Sequence, residues 1–80
     1  MKLTKAQSNQ LNDMVTQTRI TRGKNAGERK DALVDINHFD MRSFNKLISE
    51  KLVAPSEYNG NEWYATEKGY AFWLQTKSAK

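Results

Sequence analysis

The chain has 80 residues, no cysteine and a formal net charge of +4, and 38% of its residues are hydrophobic. This length allows one small domain with a single core, and the lack of cysteine excludes a disulfide scaffold and any thiolate metal site. No stretch approaches the ~18 apolar residues of a membrane span, and the N-terminus has no apolar signal segment, so we expect a cytoplasmic protein without membrane contact.

The first predicted element is an amphipathic helix over roughly residues 5–20. Thr4 and Gln7 have the spacing of a capping box, which favours a helix start at this point. The side chains that recur at helical spacing form a narrow stripe, consisting of Leu3, Gln7, Leu11, Met14, Val15 and Thr18. One buried face is the ordinary interpretation. The helix is also a candidate homodimer surface, because small DNA-binding proteins often read two half-sites as dimers.

The next segment, residues 19–30, carries five basic residues, one acid and two glycines without an apolar period. Residues 1–30 as a whole have seven Lys/Arg and two acids, a net charge of +5, whereas residues 31–80 have a net charge of −1. We therefore predict a mobile basic loop, which is either a solvated linker or an arm that contacts phosphates. In the second case the contacting residues are Arg19, Arg22, Lys24, Arg29 and Lys30.

Residues 31–36 could form a short strand or the end of a short helix, and the β-branched Val34 and Ile36 favour the strand. Asn37 or Asp40 would then cap a helix from about residue 40 to residue 51. Its predicted inner face consists of Met41, Phe44, Leu47 and Ile48, with Leu52 one turn further on. Its predicted outer face consists of Arg42, Asn45, Lys46 and Ser49, whose side chains suit phosphates and base edges.

A β-hairpin is predicted around the turn-forming residues 59–61, Asn-Gly-Asn. If these three residues are the loop, Glu57 faces Trp63 and the apolar residues share one face of the hairpin: Val53, Pro55, Trp63 and Ala65. A two-residue loop would place Trp63 and Val53 on opposite faces, so we prefer the first register.

Two details of this hairpin follow from residue type. Gly60 or Asn61 would take the backbone conformation with positive φ that the turn requires. Pro55 cannot donate a backbone hydrogen bond, so its strand is expected to have a free edge.

Thr66 is the predicted N-cap of a final helix that runs to about residue 76, with a frayed tail over residues 76–80. Its predicted inner face consists of Tyr70, Trp73 and Leu74. Phe72 lies off that face, where it would either pack on the first helix or mark a partner surface.

Two stretches resemble winged helix-turn-helix regulators. Residues 42–53, Arg-Ser-Phe-Asn-Lys-Leu-Ile-Ser-Glu-Lys-Leu-Val, resemble the recognition helix of that family and its step into the wing. Residues 63–69, Trp-Tyr-Ala-Thr-Glu-Lys-Gly, resemble the segment that closes the wing in MarR- and PadR-like regulators. The resemblance covers about residues 40–75. Lys51 stands where the family usually has Gly, and Ala65 stands where Leu is usual.

The resemblance implies one α+β winged helix-turn-helix domain over residues 1–80, with about three helices and a β-hairpin wing in its C-terminal half. It implies binding to double-stranded DNA, as by a transcriptional regulator. The small size of the chain also suits an accessory factor of a phage or mobile element. The outer face of the helix would enter the major groove and the wing would lie near the flanking backbone. The implied contacts are Arg42, Ser43, Asn45, Lys46 and Ser49 on the helix, and Asn59 and Asn61 at the wing tip.

The charge of the wing supports a second hypothesis, because residues 37–67 carry three Lys/Arg and five acids. The same fold could serve as a protein-interaction module, an adaptor or inhibitor of a host complex, through Tyr58, Tyr64 and Phe72. RNA binding is a third hypothesis, without an RNP-like motif to favour it. With one histidine, His38, and no paired acids or phosphate-binding glycine motif, we expect no enzyme activity, no metal site and no cofactor.

Overall fold

The computed structural model describes residues 2–37, 39–58 and 60–78. Their helices and strands are α1 (Lys5–Thr18), β1 (Val34–Asp35), α2 (Met41–Ser49), β2 (Val53–Pro55), β3 (Glu62–Ala65) and α3 (Glu67–Ser78). The strands form one antiparallel sheet in the order β1-β3-β2. The predicted α+β class is therefore confirmed. None of the helices in these ranges is long and apolar enough to cross a membrane.

The start of α1 is fixed by the predicted capping box. The Thr4 hydroxyl accepts a hydrogen bond from the Gln7 backbone N–H at 3.2 Å, and the Gln7 side chain accepts one from the Thr4 N–H at 2.9 Å. The helix ends at Thr18, before the predicted end near residue 20. It ends there because Arg19 adopts an extended conformation and forms a β-bridge with Arg29.

The sheet confirms the strand alternative for residues 31–36, because Val34 pairs with Trp63. It corrects the pairing of the hairpin, in which Trp63 faces Pro55 and not Glu57. The strands end at Pro55 and resume at Glu62, so the connection is longer than the three-residue loop that we predicted. The shift is an even number of residues, so the predicted common face of Val53, Pro55, Trp63 and Ala65 is retained.

Two further predictions for the hairpin have different outcomes. Neither Gly60 nor Asn61 has a positive φ, so that expectation is wrong for both residues. The longer connection needs no such conformation at these positions. The strand order confirms that β2 is an edge strand with a free side at Pro55.

The core lies between the sheet and the three helices. Phe44 on α2 is fully buried, and the Trp63 ring packs edge-on against it with a centroid separation of 5.7 Å. The other buried hydrophobic residues are Leu11, Met14, Val15, Val34, Ile36, Leu47, Leu52, Val53, Ala65 and Trp73. The apolar stripes predicted for α1 and for the middle of α2 therefore form this core.

Two residues predicted to face the core are exposed: Met41 at 42% and Leu74 at 40%. Met41 is the first residue of α2 and lies beyond the packed part of that helix. Leu74 turns outward because α3 packs through Gly69 and Trp73, which are both buried. Phe72 is half-buried and packs against the core, part of which belongs to α1. This agrees with the packing alternative and not with an exposed partner surface.

Helix α2 begins at the second of its two predicted caps, since the Asp40 carboxylate accepts a hydrogen bond from the Arg42 N–H at 3.0 Å. Only residues 36–40 separate β1 from α2, and the described part of this link is turn and irregular backbone. One helix, α2, therefore lies between β1 and β2. The described chain has no second helix directly before α2, as a complete helix-turn-helix would require.

The step from α2 to α3 is held by a set of hydrogen bonds that we call the clasp, formed by Lys51, Leu52, Thr66 and Gly69. The Thr66 hydroxyl donates to the Lys51 carbonyl at 2.8 Å and accepts from the Gly69 N–H at 3.0 Å, as an N-cap does. The Thr66 N–H donates to the Leu52 carbonyl at 3.0 Å. From this cap α3 continues to Ser78, so the predicted tail over residues 76–80 is helical as far as Ser78.

The C-terminus of α2 explains how Lys51 replaces the glycine that is usual in the resembled family. Lys51 has a φ of 60°, in the left-handed region. Its N–H donates to the Ile48 carbonyl at 3.0 Å, and the Leu52 N–H donates to the Leu47 carbonyl at 3.0 Å. These two bonds form a Schellman motif, whose left-handed position favours glycine because a Cβ is strained there.

We expect Lys51→Gly to raise the free energy of unfolding by about 0.5–1 kcal/mol. Relief of the left-handed strain exceeds the extra backbone entropy that glycine gains in the unfolded chain. Urea unfolding of Lys51→Gly measures the change, and Lys51→Ala is the matched control because it removes the charge but keeps the Cβ. Equal stability of the two variants would show that the backbone at residue 51 is not strained.

Candidate functional site

Helix α2 presents a polar outer face opposite its buried residues. Arg42, Asn45 and Ser49 are all exposed, and their spacing places them on one side of the helix. The side chains of Arg42 and Asn45 make no hydrogen bond or ion pair with residues in the described ranges. These two side chains therefore lie exposed on the face of α2 that we predicted to be its outer face.

The other three helix candidates are engaged within α2 or its cap. The Ser49 hydroxyl donates to the Lys46 carbonyl at 3.0 Å. The Ser43 hydroxyl is half-buried and lies 3.5 Å from the carboxylate of Asp40. The Lys46 ammonium donates a hydrogen bond of 2.8 Å to the Glu50 carboxylate, which holds the pKa of Glu50 below its ordinary value. The i, i+4 spacing of this pair was a sequence signal that could have revealed the contact. A phosphate would have to compete with Glu50 for Lys46.

Arg19 corrects our prediction of a basic arm, because its side chain is buried at 6% exposure. Its Nε donates to the Ala65 carbonyl at 2.8 Å, and one terminal nitrogen donates to the Gly27 carbonyl. The Thr18 hydroxyl accepts from the Ala65 N–H at 3.0 Å, so Thr18 and Arg19 satisfy both backbone groups of Ala65. Arg19 is therefore a structural residue and leaves the set of candidate phosphate contacts.

The segment 19–30 is a closed loop held by backbone hydrogen bonds. The Ile20 N–H donates to the Glu28 carbonyl at 2.8 Å, and the Gly27 N–H donates to the Ile20 carbonyl at 2.6 Å. Gly27 has a φ of 95°, and a Cβ built on it would lie 3.2 Å from the Tyr70 ring. These contacts attach the segment to α1, β3 and α3, contrary to the mobile loop that we predicted.

The remaining basic residues of this loop differ in their contacts. Arg22 and Lys24 are exposed on either side of Gly23, at the tip of the loop. The Lys30 ammonium donates to the Thr16 carbonyl at 2.8 Å, so it points toward α1. Arg22 and Lys24 are thus exposed loop cations whose side chains make no hydrogen bond or ion pair in the described ranges.

Arg29 lies over β3, with its guanidinium carbon 3.6 Å from the centroid of the Tyr64 ring. A depression of about 370 Å³ adjoins it, which we call the sheet groove. Its two walls are residues 29–33, which precede β1, and residues 56–58, which follow β2. Sequence reasoning missed this groove because no local pattern connects its two walls.

The tip of the hairpin is acidic, as its composition predicted. Glu57 is exposed and Glu62 is half-buried. Asn61 is exposed, and its carbonyl accepts a hydrogen bond of 3.2 Å from the Ile36 N–H. The other tip candidate, Asn59, lies outside the described residues, as does His38.

The aromatic residues proposed for a protein partner are not equally exposed. Tyr58 is 91% exposed, whereas Tyr64 lies beneath Arg29 and Phe72 packs against the core. Helix α1 has no exposed large hydrophobic residue, so its outer face is polar and lacks the apolar patch of a strong dimer interface. Within the described ranges, no group of three or more His, Asp or Glu side chains is placed to hold a metal ion.

Comparison of the chain with protein-family models, curated proteins and solved structures found no match.

Proposed function

We propose that this protein is a winged-helix DNA-binding domain in which α2 enters the major groove and the β2–β3 hairpin is the wing. The order of α2 before an antiparallel hairpin, and the packing of that hairpin against β1, are compatible with this arrangement. The single observation that carries the proposal is the exposed pair Arg42 and Asn45, which no described residue engages.

The chemistry of this pair suits readout of bases. An arginine fork can donate two hydrogen bonds to guanine, and an asparagine amide can bond twice to adenine. Arg42 and Asn45 are one turn apart on α2, so both can face one groove. The proposed function is sequence-specific binding to a duplex, in a transcriptional regulator or an accessory factor of a phage or mobile element.

The proposed electrostatic contribution comes from the fixed loop and not from the wing. Arg22 and Lys24 are exposed at the loop tip, whereas Glu57 and Glu62 give the hairpin negative charge. Phosphates repel carboxylates and attract Lys and Arg. We therefore expect affinity to depend on α2 and the loop tip, with the acidic hairpin limiting contact with the flanking backbone.

The test begins with selection of a preferred duplex from a random library, followed by fluorescence anisotropy at about 50 mM salt, where phosphate contacts are strong. We expect Arg42→Ala to weaken binding about tenfold and to relax the preference at one base position. Asn45→Ala should also relax one position, without changing the dependence of affinity on salt.

Lys5→Ala is the matched control, because it removes one positive charge from an exposed position on α1. It should change affinity less than about twofold, since Lys5 is not among the proposed contacts. Equal losses in Lys5→Ala and Arg42→Ala would contradict readout by α2. A folded protein that binds no duplex at this salt concentration would overturn the proposal in favour of the protein-interaction hypothesis.

A further inference from the structure

The arginine beside the sheet groove is pre-organised but has no anionic partner. The Arg29 guanidinium stacks on the Tyr64 ring at 3.6 Å and makes no hydrogen bond or ion pair within the described ranges. This contact holds the guanidinium over the ring and leaves its N–H groups available to a ligand. A fork held in this way suits a phosphate or carboxylate, which it can bind through two parallel hydrogen bonds.

The groove also offers a planar apolar surface. Tyr58 forms part of the wall opposite Arg29, and its side chain is 91% exposed. A nucleic-acid base can stack on such a ring whatever its sequence. The volume of about 370 Å³ lies at the small end of ligand sites, which suits one nucleotide better than a folded partner.

The carboxylates of the groove exclude a simple phosphate-binding patch. Asp31 and Glu57 line it, are exposed and make no ion pair in the part of the chain that the structure describes. The Lys30 ammonium donates to the Thr16 carbonyl and forms no ion pair with either carboxylate in the described ranges. Carboxylates accept hydrogen bonds from the exocyclic amino group of cytosine, which thymine lacks.

We propose that the sheet groove binds one nucleotide of a single-stranded nucleic acid that carries an exocyclic amino group. The phosphate lies on Arg29, the base stacks on Tyr58, and the amino group donates to Asp31 or Glu57. This site is separate from the outer face of α2, so it goes beyond duplex binding and does not require it. DNA and RNA strands share the chemistry that the groove recognises.

The test uses fluorescence anisotropy with labelled single strands of about ten nucleotides, a length within the usual range of single-strand sites. The strands are deoxycytidine, cytidine and deoxythymidine homopolymers. Either cytosine strand should bind at least about fivefold more tightly than deoxythymidine, because only cytosine offers an amino donor. The comparison of the two cytosine strands distinguishes a DNA ligand from an RNA ligand.

Tyr58→Ala should weaken binding of the preferred strand about tenfold through loss of stacking. Its exposure means that the substitution leaves the core intact. Arg29→Ala should cause a similar loss, and Arg29→Lys should recover only part of it because lysine lacks the planar fork.

Two controls separate this site from the others. Arg22→Ala removes the same charge from the exposed tip of the same loop, so it should leave single-strand binding within about twofold. Arg42→Ala tests the outer face of α2 and should not change single-strand binding at all. If Arg42→Ala loses duplex binding but keeps single-strand binding, the two sites act separately. One proposal can then fail without the other.

Four results would overturn the inference. The first is no binding of any strand at low salt by the folded protein, and the second is equal affinity for the cytosine and thymine strands. The third is equal single-strand affinity of the Arg29→Ala and Arg22→Ala variants. Binding of a labelled polyglutamate peptide in place of the strands would assign the groove to an acidic protein segment and contradict the nucleotide assignment.

Discussion

Replacing Gly69 with alanine is expected to lower the free energy of unfolding by about 3 kcal/mol, at the upper end of ordinary overpacking. A Cβ on Gly69 would lie 2.1 Å from the carbonyl oxygen of Leu52 and 3.0 Å from its carbonyl carbon. The oxygen cannot move freely, because it accepts the Thr66 N–H bond of the clasp. The substitution therefore forces α3 away from the end of α2.

An opposing effect makes this prediction informative. Alanine is a better helix former than glycine by about 1 kcal/mol, and residue 69 lies within α3. Helix propensity alone would therefore make the variant more stable. The contact with backbone atoms has the larger magnitude, so we expect the steric effect to determine the sign.

Urea or thermal unfolding measures the outcome, and the melting temperature should fall by about 12–24 °C in a domain of this size. Gly60→Ala is the matched control, because a Cβ there meets no atom within 4 Å. It should change stability by less than about 0.5 kcal/mol, as for an ordinary surface substitution. A Gly69→Ala variant as stable as the parent would refute the close approach of α3 to Leu52.

Replacing Arg19 with methionine is the second large effect, with an expected loss of about 2–3 kcal/mol. Methionine keeps the apolar stem but leaves the carbonyls of Ala65 and Gly27 without the guanidinium donor. Removal of the buried charge offsets part of this loss, because burial of a guanidinium has a cost in desolvation free energy. The unpaired Ala65 carbonyl has the greater effect, since its neighbourhood is buried.

Arg22→Met is the matched control, as it makes the same change at an exposed residue of the same loop. It should alter the free energy of unfolding by less than about 0.5 kcal/mol. Arg19→Met should also speed tryptic cleavage after Lys24, because the loop loses its attachment to β3. If both variants unfold and are cleaved alike, Arg19 does not hold the loop.

Local sequence patterns predicted much of this fold. The capping box at Thr4, the strand at Val34 and the buried side of α2 at Phe44 and Leu47 each depend on neighbouring residues in the chain. The predicted common face of the hairpin was also correct, although the predicted pairing was not. Alternation along each strand fixes the face of a residue, and the pairing shifted by an even number of residues.

The features that escaped prediction depend on distant parts of the chain. In the sequence Arg19 resembles an ordinary surface cation. Its burial depends on the carbonyls of Gly27 and Ala65, which are not its neighbours in the chain. Lys51 is left-handed because α2 ends in a Schellman motif beside the clasp. The helix propensity of lysine does not indicate this conformation. The sheet groove needs two loops brought together by strand pairing, so its residues form no recognisable motif.

The same dependence on distant contacts has a consequence for synthesis of the protein. The Thr18 hydroxyl meets the Ala65 N–H across 47 residues, and the Asn12 side chain accepts from the Trp73 indole across 61. Helix α1 therefore emerges from the ribosome long before β3 and α3, two of the elements that it packs against, exist. A nascent chain stalled within the β2–β3 connection should be digested as fast as an unfolded one. The amino-terminal half is made first but can form these contacts only after the carboxyl-terminal half has been made.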